Sequence, residues 1–75
     1  MNGDQLIRMA NQIGVFFESM PDRAEALEGL ANHLKKFWDP RMRKAFLLLV
    51  DDETSQSQVS DIVRVAMREH RALLA

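Results

Sequence analysis

The sequence predicts an all-α fold, a small bundle or orthogonal array of about four short helices, on three observations. Apolar residues recur at the i, i+3, i+4 spacing of amphipathic helices from one end to the other. Helix-starting and helix-stopping residues at Asp4, Pro21-Asp22, Asp39-Pro40 and Ser60 divide that pattern into four segments. No stretch carries a strand signal, and no Gly/Ser-rich linker, low-complexity tract or internal repeat interrupts the chain.

The first helix is expected to start with Asp4 as N-cap and to run to about Met20. Leu6, Ala10, Ile13, Phe17 and Met20 form its stripe, with Ile7, Met9 and Phe16 at the edges. Pro21 ends it. Asp22 then caps a second helix in which Glu25 completes a capping-box-like pair, and Leu27, Leu30, Ala31, Leu34, Phe37 and Trp38 keep the helical rhythm. Asp39-Pro40 reads as a stop and a restart, because proline disfavours helical geometry in the residue before it and suits the first position after a cap. The third helix runs from about Pro40 to Val50 with Met42, Ala45, Phe46 and Leu49 on its stripe, while Leu47 and Leu48 project elsewhere. A helix so apolar all round needs cover on more than one side. Asp51 to Gln58 is polar and reads as the most mobile loop. Ser60 is placed to cap a last helix whose Ile62, Val63, Ala66, Met67, His70, Leu73 and Leu74 share one face, opposite Arg64, Arg68 and Arg71.

With 75 residues the chain is about half a usual domain, so residues 1–75 are expected to form a single helical domain. A core of this size seldom supplies more than about 3–5 kcal/mol. The sequence has no cysteine, which removes disulfides, a thiolate nucleophile and thiolate-held zinc or iron–sulfur clusters from consideration. Support from another polypeptide is the expectation that remains. The longest apolar run, Ala45 to Val50, is far short of the ~20 residues that span a bilayer, and no basic segment leads into an apolar one near Asp4. A soluble, cytoplasmic protein without a membrane partner is expected.

The net charge of -1 hides a basic island. Residues 33–44 hold five basic side chains and one acidic, between an acidic first part and the Asp51-Asp52-Glu53 run. That balance argues against a general nucleic-acid binder. His33 and His70 lie on different helices and form no metal-binding pair; His33 reads as a surface or interface residue and His70 as a neutral imidazole packed in the last helix's apolar face. Asp39 is explained as a cap, and Gly14 and Gly29 as sites of close helix packing. No catalytic, cofactor-binding or metal-ligating residue is expected. Around the junction of the second and third helices, cations surround a tryptophan, and Trp and Arg dominate interface hot spots. The expected partner-binding set is therefore Lys35, Lys36, Phe37, Trp38, Arg41, Arg43, Leu47 and Leu48, the leucines being part of an apolar surplus with Val15.

Leu6-Ile7-Arg8-Met9-Ala10-Asn11-Gln12-Ile13 followed by Phe16-Phe17, then Asn32-His33-Leu34 leading into Phe37-Trp38-Asp39-Pro40-Arg41-Met42-Arg43, and Ile62-Val63-Arg64 with His70-Arg71 span nearly the whole chain. In these segments the sequence resembles the delta subunit of bacterial NAD-dependent, molybdenum- or tungsten-containing formate dehydrogenases. It departs from the expected pattern at Asp61, where a proline would follow Ser60. The resemblance implies a non-catalytic accessory subunit, without cofactors of its own, that supports assembly, cofactor maturation or stability of the complex. Its implied partners are the catalytic alpha subunit and the other subunits; self-association of the isolated chain through its spare apolar face is a further option. Two rival readings use the same cations. One is a small helical nucleic-acid binder with the Arg41–Lys44 segment leading a recognition helix; the other is a chaperone whose arginines hold the anionic pterin during insertion.

Overall fold

Side-chain caps decide where the helices begin. In the computed structural model, which describes residues 2–75, six helices follow one another: α1 (Gly3–Glu18), α2 (Arg23–Phe37), α3 (Pro40–Asp51), α4 (Glu53–Gln56), α5 (Asp61–Glu69) and α6 (Arg71–Leu74). Four are long and two are single turns, so the all-helical expectation holds with two short additions.

The cap of α1 is Asn2 rather than Asp4. Asn2 Oδ1 accepts from the Gln5 N–H (2.9 Å) while Gln5 Oε1 accepts from the Asn2 N–H (3.1 Å). This reciprocal pair satisfies two backbone donors, and Asp4 is left in the first turn, where a carboxylate favours the helix dipole. Asp22 caps α2 through the Glu25 N–H (3.1 Å), and Asp39 caps α3 through the Met42 N–H (2.9 Å) with Pro40 at the first position. Asp52 accepts from the Ser55 N–H (2.8 Å) and turns the expected 51–58 loop into α4. The polar composition concealed a cap rather than a loop, and Val59 behind it is buried.

The last helix is broken. His70 leaves helical geometry (φ -117°, ψ 28°), so α5 ends at Glu69 and α6 restarts at Arg71. Leu74 is buried, as the apolar face predicts, whereas His70, expected within the same face, is only half-buried.

α2 packs against α1, α5 and α6, and α3 lies against α1 and the α5–α6 unit. Leu30, Leu34, Phe46, Ile62, Val63, Met67 and Leu74 are the largest fully buried side chains at the centre. The radius of gyration, 11.1 Å, equals the roughly 11 Å expected of a compact chain of this length. Because α3 is covered on two sides, its buried face is turned from the predicted stripe: Phe46 and Leu47 are inside and Ala45 is outside.

Two residues of α1 hold α5 in place. Asn11 Nδ2 donates to the Gln58 carbonyl (2.9 Å) and Asn11 Oδ1 accepts from the Ser60 N–H (2.9 Å), which fixes the chain just before α5. Ser60 stands at the N-cap position of α5 but makes no side-chain capping bond. One turn further along α1, a Cβ on Gly14 would lie 2.9 Å from Val63 Cγ2 and 3.1 Å from Ile62 Cγ2. Both contacts are branch methyls with restricted χ1, so they cannot swing aside.

Gly14→Ala tests this contact. Alanine gains about 1 kcal/mol of helix propensity, and overpacking costs about 1–3 kcal/mol. The expected outcome in chemical denaturation is a net loss of stability; a more stable variant would show that α1 and α5 are not in close approach.

Candidate docking surface

Pro40 prevents α2 from continuing, so Trp38 and Asp39 are extended (ψ 137° and 165°) and the last carbonyls of α2 lose their helical partners. Arg43, one turn into α3, supplies donors for them. Its Nη1 donates to the Lys35 carbonyl (3.0 Å) and to the Trp38 carbonyl (2.8 Å). A cation at this position also meets the negative end of the α2 dipole. The Trp38 ring, 5% exposed, packs edge to face on Phe46 with centroids 5.5 Å apart.

These contacts place three residues of the expected partner-binding set inside the chain's own packing. Trp38 and Leu47 (6% exposed) belong to the core, and Arg43 is half-buried and committed to α2. None of the three is a free docking side chain. The sequence placed the tryptophan in the right corner but could not show which way it turned, because its position lies outside helical geometry. Lys35, Lys36, Phe37, Arg41 and Leu48 are exposed. Lys36 Nζ sits 5.7 Å from the centre of the Phe37 ring, a cation–π distance. Among the described residues, Lys35, Lys36, Arg41 and Lys44 make no ion pair. Arg41, in the first turn of α3, opposes the helix dipole, and the Asp39 carboxylate at the N-cap is what offsets it.

An aromatic row leads away from this corner along the seam of α1 and α2. Phe16 meets Phe17 edge to face (5.1 Å), Phe17 meets His33 (6.0 Å), and His33 meets Phe37 (4.8 Å). Phe16 is 69% and Phe37 66% exposed, while Phe17 and His33 are half-sunk between them. A Cβ on Gly29 would come within 2.8 Å of the Phe17 ring, so the glycine makes room for the row. Sequence reading gave His33 a surface or interface role but missed the row; the signals were the Phe16-Phe17 pair and the i, i+4 spacing of His33 and Phe37. Val15 and Leu48 are exposed on different helices, α1 and α3.

A second concave region, about 460 Å³, is lined by Val50, Asp51, Gln56, Asp61, Arg64, Val65, Arg68 and Arg71. Its charges are largely matched. Arg71 forms a two-pronged pair with Asp51 (2.9 and 2.6 Å), and Asp61 pairs with Arg64 (3.4 Å) and with Arg23 of α2 (3.5 Å). The Arg71 hydrogen bonds hold the Asp51 carboxyl below its ordinary value, and Asp51 in turn raises the Arg71 guanidinium. The hydrogen bond from the Ser55 backbone likewise lowers Asp52. Among the described residues no group of His, Cys, Asp and Glu is arranged to hold a metal ion, and no helix is long and apolar enough to cross a membrane.

The fold and this surface define a small all-helical protein with aromatic and cationic groups uncovered at one corner. Residues 5–67 match the family model described as NADH-dependent formate dehydrogenase delta subunit FdsD, and the chain belongs to that family. No curated protein and no solved structure matches it.

Two predictions follow from the charged contacts. Arg43→Ala removes donors from two carbonyls and is expected to lower stability by about 1–3 kcal/mol in denaturant titration, with Arg43→Lys recovering only part. Asp51 and Asp52 have lowered folded-state values, so their contribution is present above the unfolded carboxylate value of about 3.9 and is lost as pH falls through the folded values. Thermal melts of Asp51→Asn are therefore expected to show lower stability near neutrality and a shallower decline below about pH 4 than the parent chain.

Proposed function

We propose that this chain is a non-catalytic accessory subunit of a cytoplasmic, NAD-dependent formate dehydrogenase complex, carrying no cofactor itself and docking on the catalytic alpha subunit through the α2–α3 corner. Membership of the delta subunit family supports the complex as its setting. The observation that carries the docking surface is the corner itself: Phe37 lies uncovered with Lys36 at its ring, and Lys35, Lys36 and Arg41, all exposed near the α2–α3 junction, make no ion pair among the described residues. Fully burying a phenylalanine is worth about 1.5–3 kcal/mol, and the chain does not collect that energy alone. Trp38 and Arg43 act one layer below, by holding the corner in shape.

Supporting assembly or cofactor insertion fits such a surface, since both require a rigid patch that recognises another subunit. A recognition helix for nucleic acid, or a clamp for an anionic cofactor, would need Arg41, Arg43 and Lys44 together, and Arg43 is spent on the α2 carbonyls.

Co-purification with the alpha subunit tests the proposal. Variants should avoid Trp38, because truncating a buried tryptophan costs about 3–5 kcal/mol, as much as a core of this size supplies. The combined Lys36→Glu, Phe37→Ala, Arg41→Glu variant alters exposed side chains only and is expected to stay helical by circular dichroism while losing association. Undiminished co-purification and formate-dependent NADH production would rule out this corner. Salt-sensitive binding of the parent chain to duplex DNA would move the cations to a nucleic-acid role instead.

A further inference from the structure

The outer face of α3 is complementary to itself. Arg41, Ala45, Leu48 and Asp52 follow one another at spacings of four, three and four residues, which at helical periodicity puts all four on one narrow stripe. All four are exposed, and Leu48, at 72%, is the most exposed large apolar side chain among the described residues. We infer that this stripe pairs with the same stripe of a second copy of the chain, the two α3 helices running antiparallel about a two-fold axis that passes between Ala45 and Leu48.

About that axis Arg41 of each copy faces Asp52 of the other, and Leu48 of each faces Ala45. Size and charge both match. Ala45 borders a hollow of about 480 Å³ lined also by Leu6, Asp39, Arg41 and Met42. The small alanine leaves room there, Leu6 and Met42 supply apolar floor, and the second copy's Leu48 is the knob that fills it, twice by symmetry. Among the described residues neither Arg41 nor Asp52 forms an ion pair within the chain, although the Asp52 carboxylate also caps α4. Antiparallel helices further set the positive end of each dipole beside the negative end of the other. A parallel second copy would put Arg41 against Arg41 and Asp52 against Asp52, and a helix of unrelated sequence would not require the stripe to be its own complement. Interfaces of standard size bury about 1,600 Å². Two helices of 12 residues fall short of that, so the pairing is reversible and depends on concentration. It stands apart from the docking corner, with which it shares only Arg41.

Sedimentation equilibrium of the full chain, over a concentration series at low salt, tests the pairing. The parent chain is expected to pass from one copy to two as concentration rises, and Leu48→Ala to weaken the dimer at least about tenfold, the loss of a buried leucine contact. Arg41→Glu and Asp52→Lys, each alone, set like charges together twice per dimer and are expected to stay single. Mixed in equal amounts they restore both ion pairs, and a one-to-one dimer is expected. If circular dichroism shows that Asp52→Lys loses helicity with its cap, Asp52→Asn, which keeps a capping side chain, must by itself weaken the dimer. A parent chain that stays single at every concentration, a dimer indifferent to Leu48→Ala, or a mixture of folded variants that does not pair would overturn the inference. A single parent chain whose Leu48→Ala variant no longer co-purifies with the alpha subunit would give the stripe to that subunit instead.

Discussion

The end of α2 is the constraint on which the corner depends. Pro40 forbids the helix to continue, and extended geometry at Trp38 and Asp39 follows. Two consequences share one turn of chain. The Trp38 ring drops into the core against Phe46, and the abandoned carbonyls of Lys35 and Trp38 receive the Arg43 guanidinium. With the tryptophan and one arginine drawn inward, Lys35, Lys36, Phe37 and Arg41 are left outward on a backbone that is fixed from below.

The rest of the fold supports that corner by close approach rather than by bulk. Asn11 ties α1 to the backbone at Gln58 and Ser60, and Gly14 lets α5 settle against α1. A chain this short has little core to spare. Its Phe16 and Phe37 leave most of their surface outside the core, whereas most other large apolar side chains are at least half-buried. This imbalance is where the family's place in a multi-subunit enzyme meets the physics of the isolated chain.

Helix identity was legible in the residues because capping is local. Asp22, Asp39 and Pro40 act within one turn, and the structure places the starts of α2 and α3 where those residues put them. Where two caps compete, or where a cap hides in polar sequence, reading failed: Asn2 prevailed over Asp4 through the reciprocal Gln5 bond, and Asp52 built α4 out of an expected loop. The break at His70 was invisible, since the apolar rhythm runs through it to Leu74, and only the His70 backbone angles reveal it. The corner was legible as a cluster of cations and aromatics, but not its layering. Which of Trp38, Arg43 and Leu47 turn inward depends on long-range packing that no spacing encodes.

Side-chain footprinting with hydroxyl radicals, on the free chain and on the assembled formate dehydrogenase, tests the layered corner most directly. The account predicts that Phe37 reacts readily in the free chain and becomes protected on assembly, while Trp38 is slow to react in both. Equal reactivity of Phe37 in the two states, or a Trp38 that is reactive when free and shielded only in the complex, would contradict it.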